Sequence, residues 1–154
     1  MIEALIDSSV ILESLQNADK GDALNEVVDA MIEAGCIQKA DRKHVVKQIA
    51  DREALGSTGI GNGVAVPHVK NKRVKEISLA LARSHEGIEY DAIDGQPVHT
   101  VFMILAPEDQ ADQHLQALRW ISGLARNADF RRFVMTADGV DGIRDLLREM
   151  SASA

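Results

Sequence analysis

Residues 51–68 read DREALGSTGIGNGVAVPH. Gly56, Gly59, Gly61 and Gly63 are crowded together here, with Ser57 and Thr58 among them. Glycine lets a backbone turn sharply and aim successive N–H groups at one point, as in many anion cradles. Ser and Thr hydroxyls add donors to the same anion. The spacing G-x-G-x-G is neither the dinucleotide fingerprint nor a phosphate loop ending in Gly-Lys-Ser/Thr. From spacing alone two readings stand: a cradle for an anion, or a flexible turn between a helix and a strand. His68 closes the stretch behind Pro67, whose fixed φ gives the histidine a stiff approach. A neutral imidazole is a good nucleophile toward phosphorus, and a histidine of ordinary pKa is about three-quarters neutral at pH 7. Phosphoryl transfer asks a protein for positioning and for donors that hold the equatorial oxygens. Arg52, with a planar fork suited to phosphate, is a candidate donor; the plainer alternative pairs it with Asp51 or Glu53.

Upstream, Leu24, Val27, Val28, Met31 and Ile32 make one helical stripe, with Gly35 as its stop. Val45, Val46, Ile49 and Ala50 make a second, with Asp41 placed to cap it. Downstream, Leu115, Leu118, Ile121, Leu124 and Ala125 form a third stripe, and Val140, Ile143, Leu146, Leu147 and Met150 a fourth. A short helix is expected over 129–135. Ile77, Leu79 and Leu81 alternate with Ser78, Ala80 and Ala82, the period of a strand. Val98–Leu105 is almost continuously apolar, as in a central strand buried on both faces. Val64–Val66 is a third, short strand, and Asp94-Gly95-Gln96-Pro97 is a turn. Strands interleaved with helices predict an α/β layered domain spanning residues 1–154, with a small polar tail at 151–154 expected to fray.

Of the other histidines, His114 opens the third helix, where an exposed histidine is ordinary, although a second imidazole near His68 would supply an N–H to a phosphoryl oxygen. His44 reads as solvated and His99, inside the apolar strand, as a satisfied core residue. With His85 they show no metal-ligand spacing, and Cys36 is the single cysteine, so no metal and no disulfide is expected. Asp and Glu number 24 against 17 Lys and Arg, a formal charge of −7. That balance argues against a nucleic-acid backbone as partner and suits a protein with a basic contact face. No apolar run is long enough to span a bilayer, and the start MIEALIDSSV lacks a basic leader. A cytoplasmic protein without membrane insertion is expected.

The run from Arg52 to His68 resembles the signature of the phosphotransferase-system EIIA type-2 domains, the fructose/mannitol-type sugar components and their nitrogen-regulatory relatives. Asp94-Gly95-Gln96-Pro97-Val98, Leu105-Ala106-Pro107, His114-Leu115 and Ile121-Ser122-Gly123-Leu124 extend the resemblance over about residues 5 to 150. Val69 follows His68 where many members carry a small residue, which bears on loop fit rather than chemistry. The resemblance implies a mixed β-sheet flanked by helices, the phosphotransferase/anion transport protein-like fold. It implies a phosphohistidine carrier, with His68 phosphorylated, His114 and Arg52 holding the phosphoryl group, and Ser57, Thr58 and Gly59 binding it. It implies no cofactor. The donor would be an HPr-like phosphocarrier, itself charged by enzyme I from phosphoenolpyruvate. The acceptor would be an EIIB or a regulatory target. The wording is nearest the nitrogen-regulatory branch, and no EIIB or EIIC segment accompanies it. The alternative is a sugar-specific EIIA serving a separate EIIB.

Overall fold

A computed structural model of the chain describes residues 1–152. The elements run α1 (Ile2–Asp7), β1 (Val10–Leu12), α2 (Lys20–Glu33), a 3₁₀ turn (Lys39–Asp41), α3 (Arg42–Leu55), β2 (Gly59–Gly61), β3 (Val64–Ala65), β4 (His68–Lys70), β5 (Ser78–Ile88), β6 (Val98–Ala106), α4 (Ala111–Arg126), α5 (Ala128–Thr136) and α6 (Gly139–Ala152). The six strands form one mixed sheet in the order β1-β5-β6-β3-β2, with β4 also paired to β6. β5 and β6 are antiparallel at the centre; β1 joins β5, and β3 and β4 join β6, in parallel. The expected mixed sheet flanked by helices is what the chain forms.

The alternation along β6 explains the layering. Val101, Met103 and Leu105 face a core shared with α2 and α3. Phe102 and Ile104 face a second core shared with α1, α4, α5 and α6. Because successive strand side chains point to opposite faces, a strand apolar at every position needs a helical layer on each side. α2 begins where the Asp19 carboxylate accepts the Asp22 N–H at 3.0 Å. It ends in a left-handed turn at Gly35 (φ 86°), with Gly35 N–H on Ile32 O and Cys36 N–H on Met31 O. Asp41 holds the N-terminal position of α3 without capping it through its side chain; its carboxylate pairs instead with Arg73 at 3.2 Å.

Several features depart from the sequence expectations. α1 and β1 are too short to show a period. Leu115 is exposed, and the face that α4 turns inward runs through His114, Ala117, Ile121, Leu124 and Ala125. Ser151 stays in α6, donating to Leu147 O at 2.7 Å and accepting from the Trp120 indole N–H at 2.9 Å. Ser153 and Ala154 lie outside the described residues. β5 runs on to Ile88, and Arg83 within it is buried. The Arg83 guanidinium donates to the carbonyls of Glu13, Val134 and Ala137, tying the end of α5 to the β1–α2 loop.

The glycine-rich stretch is a hairpin. β2 and β3 are joined through Asn62 (φ 59°) and Gly63 (φ 77°), the two positive-φ positions of a type I′ turn. The Asp94 carboxylate clamps it from the 94–97 turn, accepting the N–H groups of Asn62 and Gln96, which hold that carboxyl below its usual range. Gly59 is required for a different reason. A Cβ there would stand 2.7 Å from Ala92 Cβ and 2.9 Å from Ala92 Cα. Gly59→Ala is therefore expected to destabilise the fold by about 1–3 kcal/mol, read as a lower urea midpoint with an unchanged slope. An unshifted midpoint would mean that the 90–92 segment yields freely.

Candidate functional site

β4 starts at His68, which pairs in register with Ile104 of the central strand. The Pro67 carbonyl accepts the Ile104 N–H at 3.0 Å, but proline has no N–H to return, so the strand breaks there and resumes at the histidine. His68 is half-buried. Its Nδ1 lies 2.6 Å from the Val66 carbonyl. A carbonyl only accepts, so Nδ1 carries the hydrogen and Nε2 keeps its lone pair.

His114 reaches the same place from the first turn of α4. The two imidazole centroids are 5.4 Å apart, tilted by 60°. His114 is only 6% exposed, against the ordinary exposed histidine expected at a helix start. Its Nε2 is buried without a hydrogen-bond partner among the described residues. Burial, with the neighbouring His68 and Lys70 charges adding to it, pushes the His114 pKa from 6.5 down to about 4. The site thus holds a neutral imidazole whose inner nitrogen has nothing to bond, next to one whose lone pair is free.

This burial has a consequence for stability. The unfolded chain protonates His114 near pH 6.5, the folded chain near pH 4, so unfolding takes up a proton between them. The stabilisation is complete above pH 6.5 and falls as the pH drops toward 4, by about 1.4 kcal/mol per unit. His114→Gln is expected to flatten the pH dependence of the urea midpoint in that window. Parallel wild-type and variant curves would show that His114 protonates freely in the native state.

The remaining sequence candidates lie at the end of α3 and the start of β2. Arg52, in the last turn of α3, forms neither expected pair: Asp51 takes Lys47 at 2.6 Å and Glu53 takes Lys20 at 3.0 Å. Arg52 Nη1 instead donates to Gly56 O at 2.8 Å. Ser57 Oγ donates to Tyr90 O at 3.1 Å and accepts the Gly59 N–H at 3.0 Å. Thr58 donates both its N–H (3.1 Å) and its hydroxyl to the Glu53 carboxylate. The Tyr90 hydroxyl meets Thr58 Oγ1 at 3.0 Å, and burial raises the phenol pKa above its usual value. The Ser57 and Thr58 hydroxyls and the Thr58 and Gly59 N–H groups are therefore engaged inside the protein, not aimed at an open cradle. Sequence reading missed Glu53, Lys20 and Tyr90 as members of this hydrogen-bond network. Glu53 lay inside the stretch already quoted, but Lys20 and Tyr90 carried no local signal. His44 and His85 are exposed, and His99 Nδ1 bonds Ser84 O at 2.8 Å. Among the described residues no cluster of His, Cys, Asp and Glu could hold a metal ion. No helix there is long and apolar enough to cross a membrane.

Fold and site together define a class: a three-layer α/β protein that presents two touching imidazoles where an interrupted strand resumes beside the central strand. The chain belongs to the family described as phosphoenolpyruvate-dependent sugar phosphotransferase system, EIIA 2, whose model matches residues 4–150. A nitrogen regulatory protein of Bradyrhizobium diazoefficiens is 33% identical over 153 residues, covering 99% of this chain and 98% of that protein. A fructose-specific EIIABC component of Bacillus subtilis is 34% identical over 148 residues; the match takes 96% of this chain but only 23% of that protein. Among solved structures, nitrogen regulatory protein IIA-Ntr from Neisseria meningitidis superposes with a TM-score of 0.84 at 28% identity, covering 94% of this chain and 99% of that one. The mannitol enzyme IIA of Escherichia coli, in complex with phosphorylated enzyme IIB, shares the fold with a TM-score of 0.76 at 20% identity, covering 91% of this chain and 94% of that one.

Proposed function

We propose that the chain, acting as one unit, is a phosphohistidine carrier that takes a phosphoryl group on His68 Nε2 from an HPr-like donor. The observation that carries this reading is the hydrogen bond from Nδ1 to the Val66 carbonyl, which leaves Nε2 unprotonated beside His114. In the transfer, the Nε2 lone pair forms the new N–P bond as the donor's N–P bond breaks. The donor imidazole leaves with the electron pair and becomes neutral. His68 keeps its Nδ1 hydrogen and becomes a phosphoimidazolium, so no proton changes hands. Its bond to Val66 O is then charge-assisted and stronger. A neutral His114 presents an N–H to an equatorial oxygen without adding a titrating charge, and Arg52 supplies a cation to the negative charge spread over the three equatorial oxygens. With those donors the reaction calls for no metal.

The nitrogen-regulatory reading is favoured by the match over essentially the full lengths of both this chain and the Bradyrhizobium regulator. Phosphorylation places a dianionic group on a cationic ring, a net gain of about one negative charge with three strong acceptor oxygens, enough to switch binding to a regulatory target in the cytoplasm. A sugar-specific role, with the group passed to an EIIB, is the second reading, supported by the fructose-specific relative. Incubation with phosphoenolpyruvate, enzyme I and HPr is the test. One added phosphoryl group by intact mass, lost in acid, is the expected result; no gain with several such donors rejects the carrier. Discharge by added EIIB would select the sugar branch.

A further inference from the structure

We propose that Glu53 is a positioning residue for this transfer: through Thr58 and Val66 it holds His68 in the tautomer and orientation that leave Nε2 open. The inference rests on the carrier reading of His68.

A buried carboxylate is costly unless something uses it, because it leaves water without a full set of partners. Glu53 follows Arg52 directly in the last turn of α3, and its side chain is 8% exposed. Lys20 Nζ, 3.0 Å away, cancels its charge, and the same ammonium donates to Tyr90 O at 3.1 Å and lies 4.2 Å from the Tyr90 ring centre. A carboxylate this buried is tolerated only among fixed partners, so its position is set by several elements at once. What it holds is Thr58, by both the backbone N–H and the hydroxyl.

From Thr58 the path is short. The Thr58 carbonyl accepts the Val66 N–H at 2.9 Å, continuing the β2–β3 ladder by one rung. The Val66 carbonyl accepts His68 Nδ1–H at 2.6 Å. Pro67, between them, has a fixed φ and adds little slack. Displacing Thr58 tilts the Val66 peptide and releases the bond that selects the Nδ1–H tautomer. Once released, the ring populates the Nε2–H form, which has no lone pair at the attacking nitrogen.

Histidine ring ¹⁵N shifts and the rate of phosphoryl uptake from phospho-HPr should be measured in wild type, Glu53→Ala, Glu53→Gln and Thr58→Val. The Nδ1–H tautomer should dominate in wild type. Glu53→Ala should show mixed tautomers at His68 and a rate lower on the order of 10²-fold. Gln keeps an oxygen for Thr58 and should restore most of both; Thr58→Val should fall between. A purely structural role would lower the melting temperature without moving the tautomer. An unchanged His68 tautomer in folded Glu53→Ala overturns the proposal. If that variant does not fold, an unchanged tautomer in Thr58→Val overturns it. Wild type that takes up no phosphoryl group refutes the carrier reading. The tautomer comparison, which needs no donor, still decides whether Glu53 controls the ring.

Discussion

His68→Ala is expected to take up no acid-labile phosphoryl group under conditions that fully charge the wild type. The loss should be complete, not a slower rate, because the substitution removes the atom to which phosphorus bonds. No other histidine is placed to substitute. His44 and His85 stand exposed on the surface, and the His99 ring is tied to Ser84 O at 2.8 Å. His114 is 6% exposed, less open to a donor protein than the half-buried His68. The fold should survive. His68 is half-buried, and its one side-chain hydrogen bond is worth about 1 kcal/mol. The check is intact mass after incubation with phosphoenolpyruvate, enzyme I and HPr, together with a melting curve. A phosphoryl group retained by folded His68→Ala would move the acceptor elsewhere.

His114→Ala should slow uptake by about 10²–10³-fold while leaving the site able to be phosphorylated, the effect of losing one donor prearranged for a developing oxyanion. The orphaned nitrogen of His114 sets this expectation. A buried polar atom without a partner costs stability, and proteins keep such atoms where a ligand will supply the missing bond. With its pKa near 4, His114 stays neutral at working pH and offers one N–H without a charge that varies with pH. His114→Gln retains an N–H and should recover part of the rate. Single-turnover uptake from phospho-HPr measures both. Wild-type speed in the Ala variant would leave the orphaned nitrogen as a packing defect.

The layered fold was legible because its central elements have strong periods. Val98–Leu105 reads as a strand buried on both faces, and the four amphipathic stripes place the principal helices. The shortest pieces were not legible. Neither the six-residue α1 nor the three-residue β1 gives a periodic pattern that stands out from chance. The hairpin at Asn62-Gly63 did carry a signal, the Asn-Gly pair, which the crowd of glycines around it concealed. The inward face of α4 was read correctly from Leu118 onward and misjudged only at its start, because hydrophobicity favours Leu115 over His114. A histidine is buried there, and a hydrophobic count cannot see that. Local sequence was no better at showing who consumes the donors of Ser57 and Thr58. Tyr90 is 32 residues from Thr58 along the chain and meets it only through the packing of the sheet.

The interrupted strand that carries His68 also bears on how the protein behaves in crowded solution. An open sheet leaves margins, and unpaired margins invite other chains to add strands and aggregate. Here β1, β2 and β4 are each three residues long. β2 is largely glycine, and β4 is bounded by Pro67 on one side and an exposed Lys70 on the other. Each margin is too short or too broken to template a continuous ladder. The edge nearest the two imidazoles can therefore be visited repeatedly by other proteins, through their side chains, without being capped by a foreign strand.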